Sequence, residues 1–381
     1  MELRILDTNF NLVVILDEME SVLWHRKFNE LGSCEIYVPC NDEYLKYLQK
    51  DYYITRQDDA MACIITKRKI TTDVEGNDYL IITGSEASCI LQRRITWSPV
   101  SFSGKVAELI KKLITESIIS PKKTDRAISN FTIDTSNFDQ FTDLINYASE
   151  EENVYTIIEE LCKSYGYGFN TTLTDGIFTF HLYSQVNKAS KYGEEYIEFS
   201  DDNQNILTTE YEEDTDNLKN SMLIKGEEDH LIIIDGASGL QRREAILNVT
   251  IPITWKDDLD IEHTYTDEEY NKILLSLGKT DLANRTEEVS FSGTVDVLDS
   301  YIYKEDYDVG DIVRVKNKYG ISVPALISEV LESDDNENGY EVEPVLEYNS
   351  NIITDDGMIL TEEGTALKTE KIQDYIIQEE V

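Results

Sequence analysis

The sequence predicts an α+β fold built from several domains, and three observations lead there. At 381 residues the chain exceeds what one ordinary core accommodates, so two to four domains are expected. Its 41% hydrophobic residues are enough to fill such cores. Apolar residues alternate with a period of two near both ends of the chain, and with a period near 3.6 between them. We therefore expect two β-barrel-like domains, residues 1–103 and 196–348, the second including a helix over 267–284. A helix-rich α+β middle domain, 104–195, should separate them, and a C-terminal tail, 349–381, should contact neighbours.

Leu3-Ile5 and Leu12 to Leu16 are strand-like runs, followed by Ser21 to Trp24 and by Glu35 to Pro39. Asn41 is placed to cap a short helix whose Tyr44, Leu45 and Leu48 share a face. Met61 to Lys69 and Asp78 to Thr83 should pair around a turn at Glu75-Gly76-Asn77-Asp78. The pattern suits a small barrel or sandwich with one embedded helix.

After Gly104 the period lengthens. Val106, Leu109, Ile110, Leu113, Ile114 and Ile118 make one apolar stripe, with Pro121 as its stop. Val154, Ile157, Ile158, Leu161 and Tyr165 repeat the logic up to Gly166. Phe169 to Leu173 and Ile177 to Tyr183 flank Asp175-Gly176, a hairpin signal.

The stretch from Ile197 to Gly226 joins the two unlike halves, with strands at Leu207 to Tyr211 and Met222 to Lys225. Between them Glu212 to Asp216 is too charged to bury. Leu231 to Ile234 and Ile246 to Pro252 are strand-like, and Thr266-x-x-Glu269 is a capping box opening a helix with Tyr270, Ile273, Leu274 and Leu277 on one face. Asp308-Val309-Gly310-Asp311 should turn the chain into Ile312 to Lys316, and Ala325 to Leu331 should pair with Tyr340 to Leu346. Within the tail, Ile352-Ile353, Met358 to Leu360 and a helix over Lys371 to Gln378 are too small to order alone, so they are expected to order against other chains.

Seventy-five acidic residues against thirty-four basic ones give a formal charge of −41. That balance opposes stable binding to phosphate backbones. It serves solubility, and a surface with this charge repels DNA. Apolar runs such as Leu231 to Ile234 fall far short of the roughly twenty residues of a membrane span, so no membrane insertion by this chain is expected. Glu2, Asp7 and Asp17 interrupt any secretory-signal pattern at the start. Cys34, Cys40, Cys63, Cys89 and Cys162 are odd in number and widely spaced, which predicts reduced structural thiols and synthesis in a cytosol.

The sequence assigns no residue a catalytic, cofactor-binding or metal-ligating role. Asp334, Asn336, Asn338 and Gly339 match the opening of a calcium loop. Its twelfth position is Val345 rather than glutamate, and strands flank it, so a hairpin loop is the expected reading, with ion binding by 334–339 left open. His25, His181, His230 and His263 lack metal-ligand spacing, and Gly236-Ala237-Ser238-Gly239 lacks nucleophile-elbow spacing. The cluster Tyr44, Tyr47, Tyr52 and Tyr53 could form a carbohydrate-binding face, but it suits core and interface packing better.

Several short motifs occur in an order that resembles the tail hub (baseplate hub) proteins of long-tailed bacteriophages and phage-tail-like particles, and within them the branch of phages infecting Gram-positive hosts. These motifs are Phe199-Ser200, Asn205-Ile206, the acidic strand after it, and Asn220 before the apolar run to Gly226. Earlier come Gly84, Leu91, Arg93-Arg94, Gly104 and Arg126-Ala127-Ile128, and then Tyr165-Gly166-Tyr167-Gly168-Phe169. Later come Gly239 with Arg242-Arg243-Glu244, and Val309-Gly310-Asp311. The resemblance implies a non-enzymatic virion structural protein, made in the host cytoplasm and placed at the tail tip. It would be a homotrimer whose two barrels per chain offer six-fold symmetry to the tail tube or distal tail protein above and three-fold symmetry to a spike, fibre or tip protein below. Such a hub nucleates tail assembly and gates DNA ejection. A tail-associated peptidoglycan hydrolase and a host-glycan-binding tail protein are the alternatives.

Overall fold

The computed structural model describes residues 1–17, 19–190, 195–256, 262–295, 301–320, 322–336, 338–348, 359–360 and 366–367. The chain divides into two compact units. Residues 1–210 and 291–347 form the body of the first, and residues 211–290 that of the second.

The first unit opens with β1 (Leu3–Leu6), β2 (Leu12–Leu16), β3 (Ser21–Lys27) and β4 (Ser33–Pro39), then the short helix α1 (Asp42–Tyr47), β5 (Tyr53–Arg56), β6 (Ala62–Thr72) and β7 (Asp78–Glu86). These strands lie antiparallel in the order β3-β4-β7-β6-β5-β1-β2. Alternation decides which side chains fill the core: Val22 and Trp24, Cys34, Ile36 and Val38, and Leu80 and Ile82 all point inward and are buried. The Asn41 side chain accepts from Tyr44 N at 2.8 Å, the expected cap. Asp78 opens β7, as expected, while the β6–β7 turn spans Asp73–Asn77 and so starts earlier than Glu75.

Next come α2 (Cys89–Gln92), β8 (Val100–Lys105), α3 (Val106–Ile114), β9 (Phe131–Ile133), β10 (Leu144–Ser149), α4 (Val154–Tyr165), β11 (Tyr167–Thr174) and β12 (Ile177–Ser184). The apolar stripes of α3 and α4 pack into one cluster with Phe169, Phe178 and Phe180 of the β11–β12 hairpin. The regular turns of α3 stop at Ile114, before Pro121, and a wider π-turn over Thr115–Ile119 keeps Ile118 buried. α4 ends at Gly166, which has φ +67°, and its Asn153 cap accepts from Tyr155 N. Alongside the helices, β8 pairs with β10, and β12 pairs with both β11 and β9.

Short strands β13 (Val186–Asn187) and β14 (Glu198–Ser200) precede β15 (Ile206–Asp214), which leads into the second unit. There β16 (Ser221–Lys225) is flanked by β17 (Leu231–Ile234) and β18 (Glu244–Asn248), and β19 (Thr254–Lys256) pairs with β20 (Glu262–Thr264). Helix α5 (Asp267–Ala283) opens with the predicted capping box between Thr266 and Glu269. The acidic run 212–216 is strand as far as Asp214, with Glu212 and Glu213 exposed.

The chain leaves the second unit through β21 (Glu288–Val295) and closes with β22 (Asp311–Lys316), β23 (Ser322–Asp335) and β24 (Gly339–Tyr348). β23 pairs with β22, with β24 and with β3, so the first and last β segments of the chain share one sheet. Its strand path ends openly at β2, and no closed barrel forms among the described residues. In the tail, Ile359-Leu360 pairs antiparallel with Ala366-Leu367. The expected strand at Ile352-Ile353 and helix at Lys371 to Gln378 lie outside the described residues.

Candidate functional site

Where β23 crosses β3, two strand phases that should hold only apolar side chains also hold charges. Arg56 follows Ile54 on the inward face of β5, and Glu332 follows Val330 on that of β23; their side chains are 2% and 1% exposed. The Arg56 guanidinium lies 3.0 Å from the Glu332 carboxylate and 5.4 Å from the Trp24 ring centre. Glu332 also takes Tyr340 Oη at 2.7 Å and faces Lys304 Nζ at 3.3 Å. Lys304 reaches Asp59 at 2.9 Å, and Asp59 accepts from Trp24 Nε1 at 3.2 Å. Arg26 adds bonds to Tyr303 Oη and Asp308. Burial raises the Asp59 carboxyl, but Arg26 and Lys304 outweigh it and hold the group below its usual range. Burial pushes the Tyr303 and Tyr340 phenols up, so both stay protonated; Tyr340 donates to Glu332 and Tyr303 accepts from Arg26. The cluster is a set of mutually neutralised charges that fastens the N-terminal sheet to the closing hairpin, and its chemistry is that of a lock.

Next to it, Glu86 closes the inward phase of β7 after Leu80, Ile82 and Gly84. Its carboxylate accepts from Thr171 N at 2.8 Å, Ser88 N at 3.0 Å and Ser88 Oγ at 3.2 Å, tying β7 to α2 and β11. Burial dominates these bonds and raises the group to about 7. On the partly exposed side of β3, His25 and Lys27 each approach Glu329 at 2.6 Å. The hydrogen bond from His25, helped by Lys27, holds Glu329 at about 2 against its partial burial.

Two motif glycines meet at one aromatic ring. A Cβ on Gly168 would stand 2.4 Å from Phe28 Cε2, and a Cβ on Gly310 would stand 2.5 Å from the same atom. Phe28 is 1% exposed, and Tyr183 closes its remaining side with ring centres 5.5 Å apart. The Tyr-Gly-Tyr-Gly-Phe and Val-Gly-Asp motifs thus share one physical cause, the passage of two backbones against a buried ring.

The loop 334–339 is the tip of the β23–β24 hairpin, as read from the sequence. Asp334 receives the Met1 amino group, and Asp335 accepts from Asn338 N and Nδ2. The histidines lie apart, His181 between Asp134 and Thr172, His230 beside Asn271, and His263 stacked on Trp255. Gly236 to Gly239 forms the loop before β18, where Ala237 O accepts from Arg242. Tyr44 and Tyr52 pack on the N-terminal core, and Tyr53 stacks on Phe10. All five cysteines are free, and four are buried. Trp97, 55% exposed, lies under Arg126 and Lys123, a small cationic patch on an acidic chain.

Sequence reading missed the Arg56–Glu332 lock and Glu86. A signal was present in each case, a charge standing in the inward phase of an otherwise apolar strand.

The fold is that of known tail proteins. The tail protein from Neisseria meningitidis MC58 superposes with a TM-score of 0.56 at 15% identity, covering 91% of this chain and 96% of that one. The prophage tail protein gp18 from Listeria monocytogenes EGD-e gives 0.52 at 15% identity, covering 92% and 95%. The 43 kDa tail protein of prophage MuSo2 from Shewanella oneidensis gives 0.55 at 11% identity, covering 91% and 96%. Comparison with curated protein sequences gives no match. The family described as Siphovirus ReqiPepy6 Gp37-like protein matches residues 2–346.

Proposed function

Because the chain belongs to the Siphovirus ReqiPepy6 Gp37-like protein family, we propose that it is a structural component of a phage tail, and specifically the hub at its distal tip. Family membership over residues 2–346 is the observation that carries the reading. The likeness of fold to three tail proteins supports it.

In this reading the chain is a trimer of the hub branch found in phages of Gram-positive hosts. Residues 1–103 and 196–348 act as its two barrel-like parts, residues 104–195 as the middle domain and 349–381 as a tail contacting neighbours. Six barrel-like parts from three chains would meet a six-fold tube above, and a three-fold platform would hold a spike, fibre or tip protein below. The antiparallel run β3-β4-β7-β6-β5-β1-β2 around one core supports the first barrel-like part, and the return of β23 onto β3 supports a rigid joint between the two ends of the chain. The −41 charge fits a conduit past which DNA travels without adhering.

Light scattering on the purified chain, paired with zymography on bacterial cell wall, tests the proposal. A mass of three chains with no clearing is the expected result. A clearing band would favour the tail-associated hydrolase, and a strictly monomeric protein at all concentrations would overturn the trimer.

A further inference from the structure

Residues 93–126 run against the charge of the chain: they hold eight basic residues and three acidic ones, within a total of −41. Four of those cations meet where two backbone segments come together, Arg93 and Arg94 after α2, and Lys123 and Arg126 around the single turn Thr124–Arg126. They line a depression of about 290 Å³, in which Asp125 is the one carboxylate among the described residues. Its apolar side is Ile95 and Trp97, both about half exposed.

The depression is rigidly built. Arg126 Nη2 donates to Ile95 O at 2.7 Å and Arg94 Nη2 donates to Arg126 O at 3.1 Å, so the arginine of each segment grips the backbone of the other. The first segment is fixed in turn to the start of α4: Val154 N donates to Arg94 O, Thr96 N to Glu152 O, and Asn153 Nδ2 to Gln92 O. Arg126 lies over Trp97, its guanidinium carbon 4.1 Å from the ring centre. A guanidinium stacked on an indole keeps its plane fixed and its remaining donors free at the edge.

The charges here do not cancel. Arg93 has Asp51 at 3.4 Å and Lys123 has Asp125 at 3.0 Å, both of them exposed pairs. Arg94 and Arg126 bond to backbone carbonyls, and neither has a carboxylate partner among the described residues. Burial and the adjacent Arg94 charge lower the Arg126 pKa, and Asp125 does not make up the difference. Stitching two loops together requires donors but not two net charges, whereas holding a carboxylate uses both. Lys123 also lies over Trp97, at 5.6 Å, so the ring is no bare platform for a base or a sugar. Arginine forks beside an exposed Trp and Ile have the composition of a protein contact. We propose that Arg94 and Arg126, beside Trp97, bind the carboxylates of an acidic segment of a partner protein. The proposal does not depend on the copy number proposed above, so its failure leaves that reading untouched.

The test is fluorescence anisotropy of a labelled hexaglutamate peptide titrated with the full chain at low ionic strength. Arg94→Gln/Arg126→Gln removes the site, and Arg242→Gln/Arg285→Gln removes the same charge from arginines that already have carboxylates. We expect saturable binding to the native chain, a loss of about tenfold or more in the first double variant, and little change in the second. No saturable binding, or equal losses in the two variants, would overturn the site. Displacement of the probe by inorganic phosphate or a short DNA duplex at lower concentrations than by unlabelled peptide would overturn the carboxylate assignment. Arg94→Lys/Arg126→Lys keeps the charge without the planar fork and decides the matter if the Gln pair proves unstable: weaker binding by the folded Lys pair supports the site, and unchanged binding contradicts it.

Discussion

Arg56 and Glu332 lie 3.0 Å apart with side chains 2% and 1% exposed, joining β5 of the N-terminal sheet to β23 of the closing hairpin across 276 positions of sequence. Removing one member leaves the other charge buried beside fewer partners, which costs about 3–5 kcal/mol. We predict that Glu332→Gln and Arg56→Met each lower the thermal midpoint of the first unit by several degrees. The double variant Arg56→Met/Glu332→Leu should be more stable than either single one. Differential scanning calorimetry reads all three; equal midpoints for singles and native chain would show that the pair is not a lock.

Phe28 makes a second, steric joint. Gly168→Ala and Gly310→Ala should each destabilise by at least about 1–3 kcal/mol, because the added methyl falls inside the Phe28 ring's contact distance. Gly310 also holds φ +96°, which adds backbone strain for any other residue. Gly320→Ala separates the two effects, since Gly320 has φ +86° but nothing within 4 Å of its would-be Cβ. Denaturant titration should rank Gly310→Ala as more damaging than Gly320→Ala, and Phe28→Leu should relieve Gly168→Ala in part. An equal loss at Gly310 and Gly320 would remove the ring from the explanation.

A pH dependence follows from Glu86. Its folded value, about 7, lies above the ordinary 4.5, so the folded state binds its proton more tightly than the unfolded chain does. The stability this confers is fully present below about pH 4.5 and is lost as pH rises through about 7, with a ceiling of about 3 kcal/mol. Glu86→Gln mimics the protonated form. We predict that the native chain loses stability from pH 5 to pH 8 relative to this variant, measured by urea midpoints in matched buffers. Parallel pH profiles for the two proteins would show that Glu86 does not titrate in this range.

The acidic surface makes its own prediction. Double-stranded DNA should bind the full chain no better than it binds a neutral control protein at physiological salt, as measured by fluorescence anisotropy. Low-micromolar affinity with a steep salt slope would contradict the conduit reading.

Local features were readable in the sequence where a single segment decides them. The Asn41 and Thr266 caps, the Gly166 stop, the Asp175-Gly176 hairpin and the pairing of β23 with β24 depend on a few adjacent residues, and each stands where its pattern places it. β8 and β10 were not foreseen, because Val100–Lys105 has only two apolar residues and the apolar residues of Leu144–Ser149 do not alternate, and they become strands by pairing with each other. The union of β3 with β23 was also hidden, because alternation says which face is apolar and not which distant strand lies alongside. Glu86, Arg56 and Glu332 were passed over as ordinary charges among 109 in the chain; only their inward strand phase set them apart.

We propose that this chain is a three-copy hub at the distal end of a phage tail. A cryo-EM reconstruction of the assembled tail tip tests it most directly, by placing the chain and counting its copies. We predict three copies around the tube axis, between the last tube ring and the distal spike or fibre; one copy, six copies, or a position elsewhere in the tail would contradict the claim.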